Sequence, residues 1–543
     1  MFKCKCKDPL QQKQSEICFT PKKKPFLVTI PFSFYQYNPQ DHLIQIMLSS
    51  KLRTVGRFSS FGNKFQHRHL ATKFELPLCT KELLQTNTPA SDTHVQVNGW
   101  VASSRISKNV AFIDINDGTC EENVQCVIRP PTLLPADVKN GAGIQINGIW
   151  SEGKGKQKYE LQVNDKAEGN VKILGGVDAL FPMIKKDHTP QYLRTIPEYR
   201  WRDPSMASIL RFRSQVETTL VNFFDAESFT KTHPPLVTAS DCEGAGELFK
   251  IESNSKIGTE EQFFGKDAYL TVSTQLHLET LCSALNRVWT LTPCFRAEES
   301  DTNRHLSEFW MLEVEVAFID RISQLTKFSE KMIKSVVSNL VEDKNNMRTN
   351  LLKTARSNET AELMKNRWEM LLAKEWDSVT YTQAIKIIHE AHDSGKVKFS
   401  ARPSWGDSLG SEHEKWLAGV YFKNPVFVTD YPLEEKAFYM KINEPTLGEE
   451  APTVACFDLL VPDIGELIGG SLREHNLENL KREISRRGMS PDPLSWYFKI
   501  CENGSVPHGG YGMGFERLLQ YLSCTENIRD VIPFPRSADN CLC

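Results

Sequence analysis

The strongest constraint on the fold of this 543-residue chain is a block of short strand patterns. This block precedes a much longer stretch in which strand and helix patterns are mixed. Between Asp92 and about Gly169, apolar and polar residues alternate in short runs that turn signals such as Asp117-Gly118 separate. The runs cover residues 94–101, 110–115, 124–128, 143–150 and 159–164. Five strands within about 75 residues predict a small β-barrel, whose domain we assign to residues 91–175.

The outward face of that barrel would carry a cation, an aromatic ring and an amide, in Arg105, Phe112 and Gln125. The commonest small barrel of this kind is the oligonucleotide-binding (OB) type. An aromatic side chain on such a sheet can stack an unpaired base, and a neighbouring amide can read the edge of the base. These residues therefore predict a site for single-stranded RNA. The alternative is that Phe112 belongs to the barrel core.

After a linker at residues 176–202, the pattern predicts one large α+β domain over residues 203–543, with a helical insertion around 320–420. Its first helix begins at Asp203-Pro204, because aspartate is a good N-cap and proline is favoured at the first helical position. The helix runs to about Ala226. One of its faces is apolar and consists of Met206, Ile209, Leu210, Val216, Leu220, Phe223 and Phe224.

A predicted hairpin near residues 294–318 carries side chains suited to a nucleoside triphosphate. Its second strand alternates apolar and acidic residues: Leu312, Glu313, Val314, Glu315, Val316 and Phe318. The connecting loop begins at Arg296 and includes Arg304 and His305. Guanidinium forks bind phosphate oxygens bidentately, while Phe309 could stack a purine and Glu298 could accept from its exocyclic amine. The alternative is a surface hairpin with several salt bridges.

Two further patterns lie towards the C-terminus. A glycine-rich run, residues 509–514, leads into a helix with Arg517 in its first turn, but it has neither the P-loop lysine nor the dinucleotide spacing. Asp458 and Glu466 are eight residues apart across a predicted hairpin, where they could share a Mg²⁺ that also bridges phosphates. Each pattern alone is weak, since two such acids are more often exposed loop residues.

Taken in order, these patterns resemble motifs 2 and 3 of the class II aminoacyl-tRNA synthetases. The helix at 204–226 and the segment Thr232–Thr238 resemble motif 1, in which Pro235 matches a proline at the homodimer interface. A barrel ahead of the catalytic domain is typical of the subclass that activates aspartate, asparagine or lysine. The resemblance covers about residues 92–543. It implies an α+β chain in which a five-stranded OB-fold barrel precedes a catalytic domain with an antiparallel sheet flanked by helices.

Three stretches, residues 240–249, 269–279 and 296–313, resemble the asparaginyl-tRNA synthetases of the bacterial and organellar type. In the aspartate enzymes a lysine follows the glutamine by three positions, whereas here Gln275 is followed by Leu278. Without that lysine the site has no reason to demand an anion, so a neutral amide fits better. The stretch from Pro432 through Lys436 to Met440 also resembles the asparagine branch. Two residues depart from the family pattern, Pro234 in place of threonine and Thr274 in place of glycine.

The resemblance implies that the carboxylate of asparagine attacks the α-phosphate of ATP and that the adenylate then esterifies the 3′-terminal adenosine of tRNA(Asn). It implies Mg²⁺ with ATP as substrate, and no zinc. The implied ATP site comprises Arg296, Glu298, Arg304, His305, Leu306, Phe309, Glu466, Gly514 and Arg517, with Asp458 and Glu466 as Mg²⁺ ligands. The implied amino-acid site comprises Ser240, Glu243, Gln275, Leu278 and Arg473. Glu243 would take the ammonium, Gln275 the backbone end and Arg473 the side-chain carbonyl.

The resemblance also assigns anticodon reading to Arg105, Phe112 and Gln125, with Phe112 stacking the central base. Two alternatives remain. One is an aspartyl-tRNA synthetase of the same fold, which Leu278 argues against. The other is a non-catalytic RNA-binding paralogue, which typically loses motif arginines that are present here, or an asparagine-forming relative, which would lack the barrel.

The first 90 residues hold 14 Lys and Arg against five Asp and Glu, whereas the whole chain has a net charge of −3. Leu43 to Phe74 contains no acid and several serines, a composition typical of a mitochondrial presequence. Such a signal must lie at the N-terminus, so we expect translation to start at Met47 and the protein to reach the mitochondrial matrix. The alternative is a disordered basic tail.

The 14 cysteines do not form zinc hooks, since no Cys-x-x-Cys occurs and the close pairs are Cys4/Cys6 and Cys541/Cys543. We expect free thiols in a reducing compartment. No apolar run approaches the roughly 20 residues that a membrane-spanning helix needs, which excludes that class of membrane protein.

Overall fold

The computed structural model describes residues 76–85, 93–153, 155, 157–165, 169–183, 187–239, 248–252, 263–300, 302–444 and 451–543. The expected presequence and its start at Met47 lie outside this part of the chain. The first domain consists of α1 (Thr80–Gln85), β1 (Thr93–Ile106), β2 (Ala111–Asn116), β3 (Val124–Arg129), β4 (Gly143–Glu152), β5 (Tyr159–Asn164) and β6 (Asn170–Gly175).

The five predicted strands are all present and form a closed barrel. The strands follow the order β1-β2-β3-β5-β4, and β1 pairs with β4 to close the ring. Inward residues such as Ile113, Cys126 and Ile146 are fully buried. A sixth strand, β6, was not predicted; it pairs antiparallel with β4, and its Val171 packs in the barrel core. Because β1, β2 and β3 are neighbours in this ring, their outward-facing side chains lie side by side on one surface.

From its composition, the segment 1–90 is expected to be a basic targeting or disordered extension, but residues 80–85 within it form the helix α1. Thr80 and Leu83 are buried, and Leu83 joins the barrel core. The backbone N–H of Thr80 donates to Asp117 Oδ2 at 2.7 Å, so the loop between β2 and β3 caps this helix. Composition did not reveal α1 because the helix has only six residues and follows a basic stretch that contains no acid up to Phe74.

Apart from α2 (Pro190–Arg194), which lies in the linker, the remaining elements build the large domain. They are α3 (Pro204–Ala226), β7 (Thr230–Lys231), β8 (Val237–Thr238), β9 (Tyr269–Leu270), α4 (Gln275–Leu285), β10 (Arg287–Phe295), β11 (Glu308–Ala317), α5 (Ile322–Val341), α6 (Met347–Lys353), α7 (Asn358–Ala373), β12 (Asp377–Thr380), α8 (Tyr381–Asp393), α9 (Ser411–Trp416), β13 (Val426–Thr429), β14 (Cys456–Val461), β15 (Gly465–Leu472), α10 (Leu477–Arg486), α11 (Ser495–Glu502), β16 (His508–Gly514) and α12 (Phe515–Ser523).

An eight-stranded sheet forms the centre of the large domain, in the order β12-β13-β14-β15-β16-β11-β10-β7. The six central strands are antiparallel, as expected, but β7 runs parallel to β10 and β12 runs parallel to β13. The sheet is therefore mixed. Helices α3, α5, α7 and α12 contribute to the main apolar core beside it. Because β14, β15, β16 and β11 are neighbours, residues distant in sequence meet on one surface.

Helix α3 begins and ends where the sequence predicts, at Pro204 and Ala226. The Asp203 side chain accepts from the N–H groups of Ser205 and Met206, as an N-cap should. The insertion around 320–420 is mostly helical, yet it also contains β12, which joins the edge of the sheet. Phe318 was expected on the apolar face of a strand, but β11 ends at Ala317 and Phe318 is 70% exposed at a φ of 63°.

Contacts from the first domain and from the linker reach the large domain. The loop between β2 and β3 accepts a hydrogen bond from Arg211 of α3 at Gly118 O, 2.6 Å away, and its Glu121 forms an ion pair with the same arginine. In the linker, Arg194 donates to both carboxylate oxygens of Asp530 at 2.9 and 2.6 Å.

Among the described residues, no helix is both long enough and apolar enough to cross a membrane.

Candidate active site and RNA-binding face

A cavity of about 280 Å³ opens over the central strands of the large sheet. Most of the predicted catalytic, ATP-binding and amino-acid-binding residues line this cavity: Gln275, Leu278, Arg296, Glu298, Arg304, His305, Leu306, Phe309, Asp458, Glu466, Arg473, Gly514 and Arg517. Ser240 and Glu243 lie outside the described residues. The sequence patterns thus converge on one site, while the role of each residue stays a prediction.

The predicted hairpin exists and brings its arginines to one end of the cavity. Strands β10 and β11 are antiparallel, with Phe295 opposite Glu308. The loop closes where the N–H of Arg296 donates to Ser307 O at 2.9 Å, and the Arg296 guanidinium lies 5.4 Å from the ring centre of Phe309. These side chains line a shared cavity, which argues against a surface hairpin with salt bridges.

Two other arginines approach the same end from different elements. Arg304 Nη1 donates to Ile464 O at 3.0 Å, and Arg517, in the first turn of α12, donates to Glu466 O at 3.1 Å. With Arg296 they place three guanidinium groups around one space. Anchored guanidinium forks of this kind suit the oxygens of a polyphosphate.

His305 lies among these cations and is held by two hydroxyl groups, with Nδ1 at 2.9 Å from Ser300 Oγ and 2.6 Å from Thr302 Oγ1. Partial burial lowers the pKa of His305, and the nearby arginines lower it further, against the opposing effect of Glu298. The imidazole is therefore mainly neutral at neutral pH before an anion binds. An incoming phosphate would favour its protonated form.

Asp458 and Glu466 meet across the hairpin of β14 and β15, as predicted. A Cβ placed on Gly469 would lie 3.5 Å from Asp458 Oδ1 and 3.1 Å from Glu466 Oε1, so both carboxylates converge above this glycine. Burial raises the pKa of Asp458, partly offset by Lys436, whose Nζ lies 2.6 Å from Asp458 Oδ2. Two converging carboxylates are oxygen donors that fit a hard divalent cation such as Mg²⁺.

The opposite end of the cavity contains a buried pair of Arg473 and Glu315. Arg473 donates from Nε and Nη2 to the two oxygens of Glu315 at 3.2 and 3.0 Å. Burial raises the pKa of Glu315, and the charge and hydrogen bonds of Arg473 oppose this shift. A glycine is required at position 510, because a Cβ there would overlap the Glu315 carboxylate. The glycine run of β16 therefore serves close packing on β11.

Glu279 of α4 supports this pair from behind. It accepts from Tyr497 Oη at 2.5 Å and from Gln275 Nε2 at 2.9 Å, and His508 Nε2 lies 3.1 Å away. Burial alone would raise the pKa of Glu279, but the hydrogen bond and charge of His508, the charge of Arg473 and the Tyr497 hydroxyl lower it overall. Gln275 is thus held at the cavity edge by a buried carboxylate.

Thr274, one of the departures from the family pattern, has a clear structural role. Its hydroxyl and that of Ser273 donate to the carboxylate of Glu313, and its backbone N–H lies 3.1 and 3.0 Å from the two oxygens. Glu313 is only 4% exposed and also lines the cavity. The threonine side chain thus adds a donor to a buried acid.

Sequence reasoning missed Glu313, Glu315, Glu279 and His508 as site residues. The two glutamates of β11 were noted as the polar half of an alternating strand, which usually means a solvated face. In this structure the acidic face of the strand lies under the cavity and not in bulk solvent, and Glu315 is 1% exposed. A useful signal was present: charged residues in the middle of a strand that is central in its sheet must have buried partners.

The barrel residues predicted to bind RNA lie on its outward face. Phe112 is half-buried, while its neighbours Ala111 and Ile113 point into the core. Arg105 is opposite Phe112 in the register, and its guanidinium lies 5.7 Å from the ring centre. Gln125 is on the adjacent strand, β3. This placement argues against the alternative that Phe112 is a core residue.

The loop between β7 and β8 carries the two prolines of the motif 1 segment. Pro235 is exposed and Pro234 is buried. An exposed proline at this position is compatible with an intersubunit contact, which stays a prediction.

Comparison with known proteins gives consistent matches. The model of tRNA synthetases class II (D, K and N) matches residues 194–538, and that of the OB-fold nucleic acid binding domain matches residues 95–167. The mitochondrial asparagine–tRNA ligase of Saccharomyces cerevisiae is 43% identical over 484 residues, covering 86% of this chain and 96% of its own. The mitochondrial asparagine–tRNA ligase of Schizosaccharomyces pombe is 41% identical, covering 86% and 98%.

Among solved structures, the asparaginyl-tRNA synthetase of Pyrococcus horikoshii complexed with asparaginyl-adenylate matches with a TM-score of 0.72 at 27% identity, covering 87% of this chain and all of that one. The aspartyl-tRNA synthetase of Entamoeba histolytica, 18% identical with a TM-score of 0.64, shares the fold. The chain therefore belongs to the class II tRNA synthetases of the D, K and N group and, within that group, to the asparagine–tRNA ligase family.

Proposed function

We propose that this protein activates asparagine with ATP and transfers it to tRNA(Asn) in the mitochondrial matrix. The observation that carries the proposal is the division of one cavity into two ends. Three arginines surround the end suited to phosphates, and the Arg473–Glu315 pair forms the end suited to a small polar side chain. The names of the relatives supply the amino acid, and the two yeast relatives support the mitochondrial destination.

Adenylate formation on this site needs no strong base, because the attacking carboxylate of the amino acid is already ionised. Catalysis then consists of positioning and of neutralising charge on the phosphates. Arg296 would hold the α-phosphate, and Arg304, His305 and Arg517 would hold the outer phosphates. Phe309 would stack the adenine, with Glu298 accepting from its amine. Mg²⁺ bound by Asp458 and Glu466 would add positive charge at the phosphates.

The amino-acid end offers a physical reason to prefer asparagine over aspartate. An amide presents one acceptor oxygen and two N–H donors, whereas a carboxylate presents acceptors alone. Arg473 would donate to the amide oxygen, and the neighbouring carboxylate of Glu315 would accept from the amide nitrogen. Aspartate would instead bring a second negative charge against Glu315. The apolar Leu278 provides no cation to compensate for it, so binding of aspartate should be disfavoured.

The outer face of the barrel would read the anticodon. Phe112 would stack the central base, Gln125 would hydrogen bond to its edge, and Arg105 would contact the base or the adjacent phosphate. The same fold family suggests a homodimer in which the exposed Pro235 contacts the second subunit. Gel filtration with light scattering would measure the mass of the assembly, and a monomer at working concentrations would contradict the dimer.

The experiment that tests the function is ATP–pyrophosphate exchange with a panel of amino acids, followed by charging of tRNA. We expect exchange with asparagine, none above background with aspartate, and charging of a tRNA with the asparagine anticodon. Exchange driven by aspartate would favour the aspartyl enzyme. The absence of exchange with every amino acid, in protein that still binds tRNA, would favour the non-catalytic paralogue.

The proposed mitochondrial localisation can be tested separately. We propose that translation starts at Met47 and that the presequence is removed between Arg57 and Glu75. A positively charged N-terminal segment is drawn inwards by the membrane potential, by about 2.3 kcal/mol per charge per 100 mV. Mass spectrometry of the organellar protein should find a mature N-terminus in that interval. Peptides from residues 3–40 on the purified protein would contradict the proposal.

A further inference from the structure

Three polar side chains form a row across the outward face of the barrel, directly beside Phe112. Asp114 of β2 is paired in register with Ser103 of β1 on one side and with Gln125 of β3 on the other. Ser103 Oγ donates to Asp114 Oδ2 at 2.6 Å, and Gln125 Nε2 donates to Asp114 Oδ1 at 3.4 Å. All three side chains are half-buried, so each keeps part of its surface towards an incoming ligand.

A carboxylate can only accept hydrogen bonds, whereas the amide of glutamine can either donate or accept. Asp114 therefore selects one of the two orientations of the Gln125 amide. The NH₂ group turns towards Asp114, and the carbonyl oxygen Oε1 turns away from it. Were the amide reversed, Oε1 would face the carboxylate and two acceptors would oppose each other, which is unfavourable on a half-buried surface.

We infer that Asp114 is a positioning residue that fixes Gln125 as a hydrogen-bond acceptor and thereby sets which base is accepted over Phe112. This inference rests on the proposed role of Phe112 and Gln125 in reading the anticodon. A carbonyl oxygen suits a base edge that donates, such as N3–H of uracil. It opposes N3 of cytosine, which accepts. Asparagine codons have adenine at their middle position, so the central base of the matching anticodon is uracil.

Asp114→Asn tests this orientation with almost no change in shape. The new amide can donate to Gln125 Oε1, which frees the glutamine NH₂ group to face a base acceptor. Charging would be measured with two tRNA(Asn) transcripts that carry uracil or cytosine at the centre of the anticodon. We expect the ratio of kcat/KM for uracil over cytosine to fall by about tenfold or more, the effect of opposing one hydrogen bond to a base. ATP–pyrophosphate exchange in the same preparations reports whether each variant is folded.

Swapping the acid and the amide between positions 114 and 125 should restore the selectivity for uracil. A merely structural role of Asp114 does not predict this rescue. Gln125→Glu alone would place two carboxylates against each other and impair charging. In the double variant Asp114→Asn with Gln125→Glu, the asparagine amide can donate to the glutamate, whose second oxygen again accepts from uracil. We expect the uracil-over-cytosine ratio to recover in this double variant, even where overall affinity for RNA is reduced by the added charge.

Two comparisons separate failure of this inference from failure of the proposed anticodon site. Asp137→Asn removes an exposed carboxylate elsewhere on the same domain and should leave the ratio unchanged. Gln125→Ala should lower the ratio. If Gln125→Ala lowers it but Asp114→Asn does not, or if the double variant shows no recovery, the positioning role is overturned. If Gln125→Ala also leaves the ratio unchanged, this face does not read the base, and both proposals fall.

Discussion

Replacing Arg296 by alanine should nearly eliminate adenylate formation while leaving the fold intact. The guanidinium lies at the base of the motif 2 hairpin, inside the cavity and beside Phe309. Two unit charges about 4 Å apart at an effective dielectric constant of about 20 attract by about 4 kcal/mol. Loss of one preorganised donor to a developing oxyanion costs about 2.7–4 kcal/mol. The rate of ATP–pyrophosphate exchange should therefore fall by about 100–1000-fold.

The stability of the variant should change little. The contact between Arg296 and the Phe309 ring contributes about 0.5–1 kcal/mol, so thermal unfolding should shift by no more than a few degrees. Arg296→Lys, which keeps the charge but loses the planar fork, should give an intermediate loss of exchange. Arg321→Ala, at an exposed arginine, is the matched control and should behave like wild type. Retention of a tenth or more of wild-type exchange in Arg296→Ala would refute the assignment of the phosphate ligand.

Three other changes test separate parts of the molecule. Phe112→Ala combined with Gln125→Ala should weaken tRNA charging, since stacking contributes about 1–3 kcal/mol per base, while amino-acid exchange stays intact; unchanged charging would remove the anticodon role from this face. Leu278→Lys should lower ATP–pyrophosphate exchange with asparagine, because the new cation can pair with Glu315, the acceptor proposed for the substrate amide. If exchange with asparagine is undiminished, residue 278 does not contact the substrate. In the free protein the pKa of His305 lies below its ordinary value of 6.5, and bound phosphates should raise it. The affinity for ATP should therefore weaken as the pH rises through the pKa of His305 in the complex. Calorimetry between the two pKa values should show proton uptake on ATP binding, and this uptake should disappear in His305→Asn.

The sequence predicted the barrel strands and helix α3 well because local signals and tertiary packing agree there. Strict alternation marks strands such as β2, whose inner residues are buried. At the start of α3, the aspartate cap and the following proline coincide with the first buried residues. Elements such as β12, of four residues, give no comparable signal. A strand this short forms because a neighbouring edge is available, and the edge itself is a product of the tertiary fold.

The site was partly predictable for a related reason. Arg296, Arg304 and Arg517 stand in recognisable patterns, and the cavity collects all three. The alternation of acidic and apolar residues in β11 was misleading, since such alternation normally indicates a strand with one solvent-exposed face. Glu315 pairs with Arg473, more than 150 residues further along the chain, while Glu313 accepts hydrogen bonds from Ser273 and Thr274. Which residues so far apart in the chain meet depends on the order of the strands in the sheet. A single sequence does not reveal that order.

The loop between β2 and β3 has a consequence for the modularity of this enzyme. The same hairpin that carries Phe112 and Gln125 ends in a loop that caps α1 through Asp117 and is held by Arg211 of the large domain. An RNA-reading barrel transplanted from another synthetase would keep its outer face but lose these attachments unless its hairpin loop matched them. Exchange of anticodon specificity between enzymes of this architecture should therefore succeed when the recipient's loop, residues 117–123, is retained and only the strand faces are replaced.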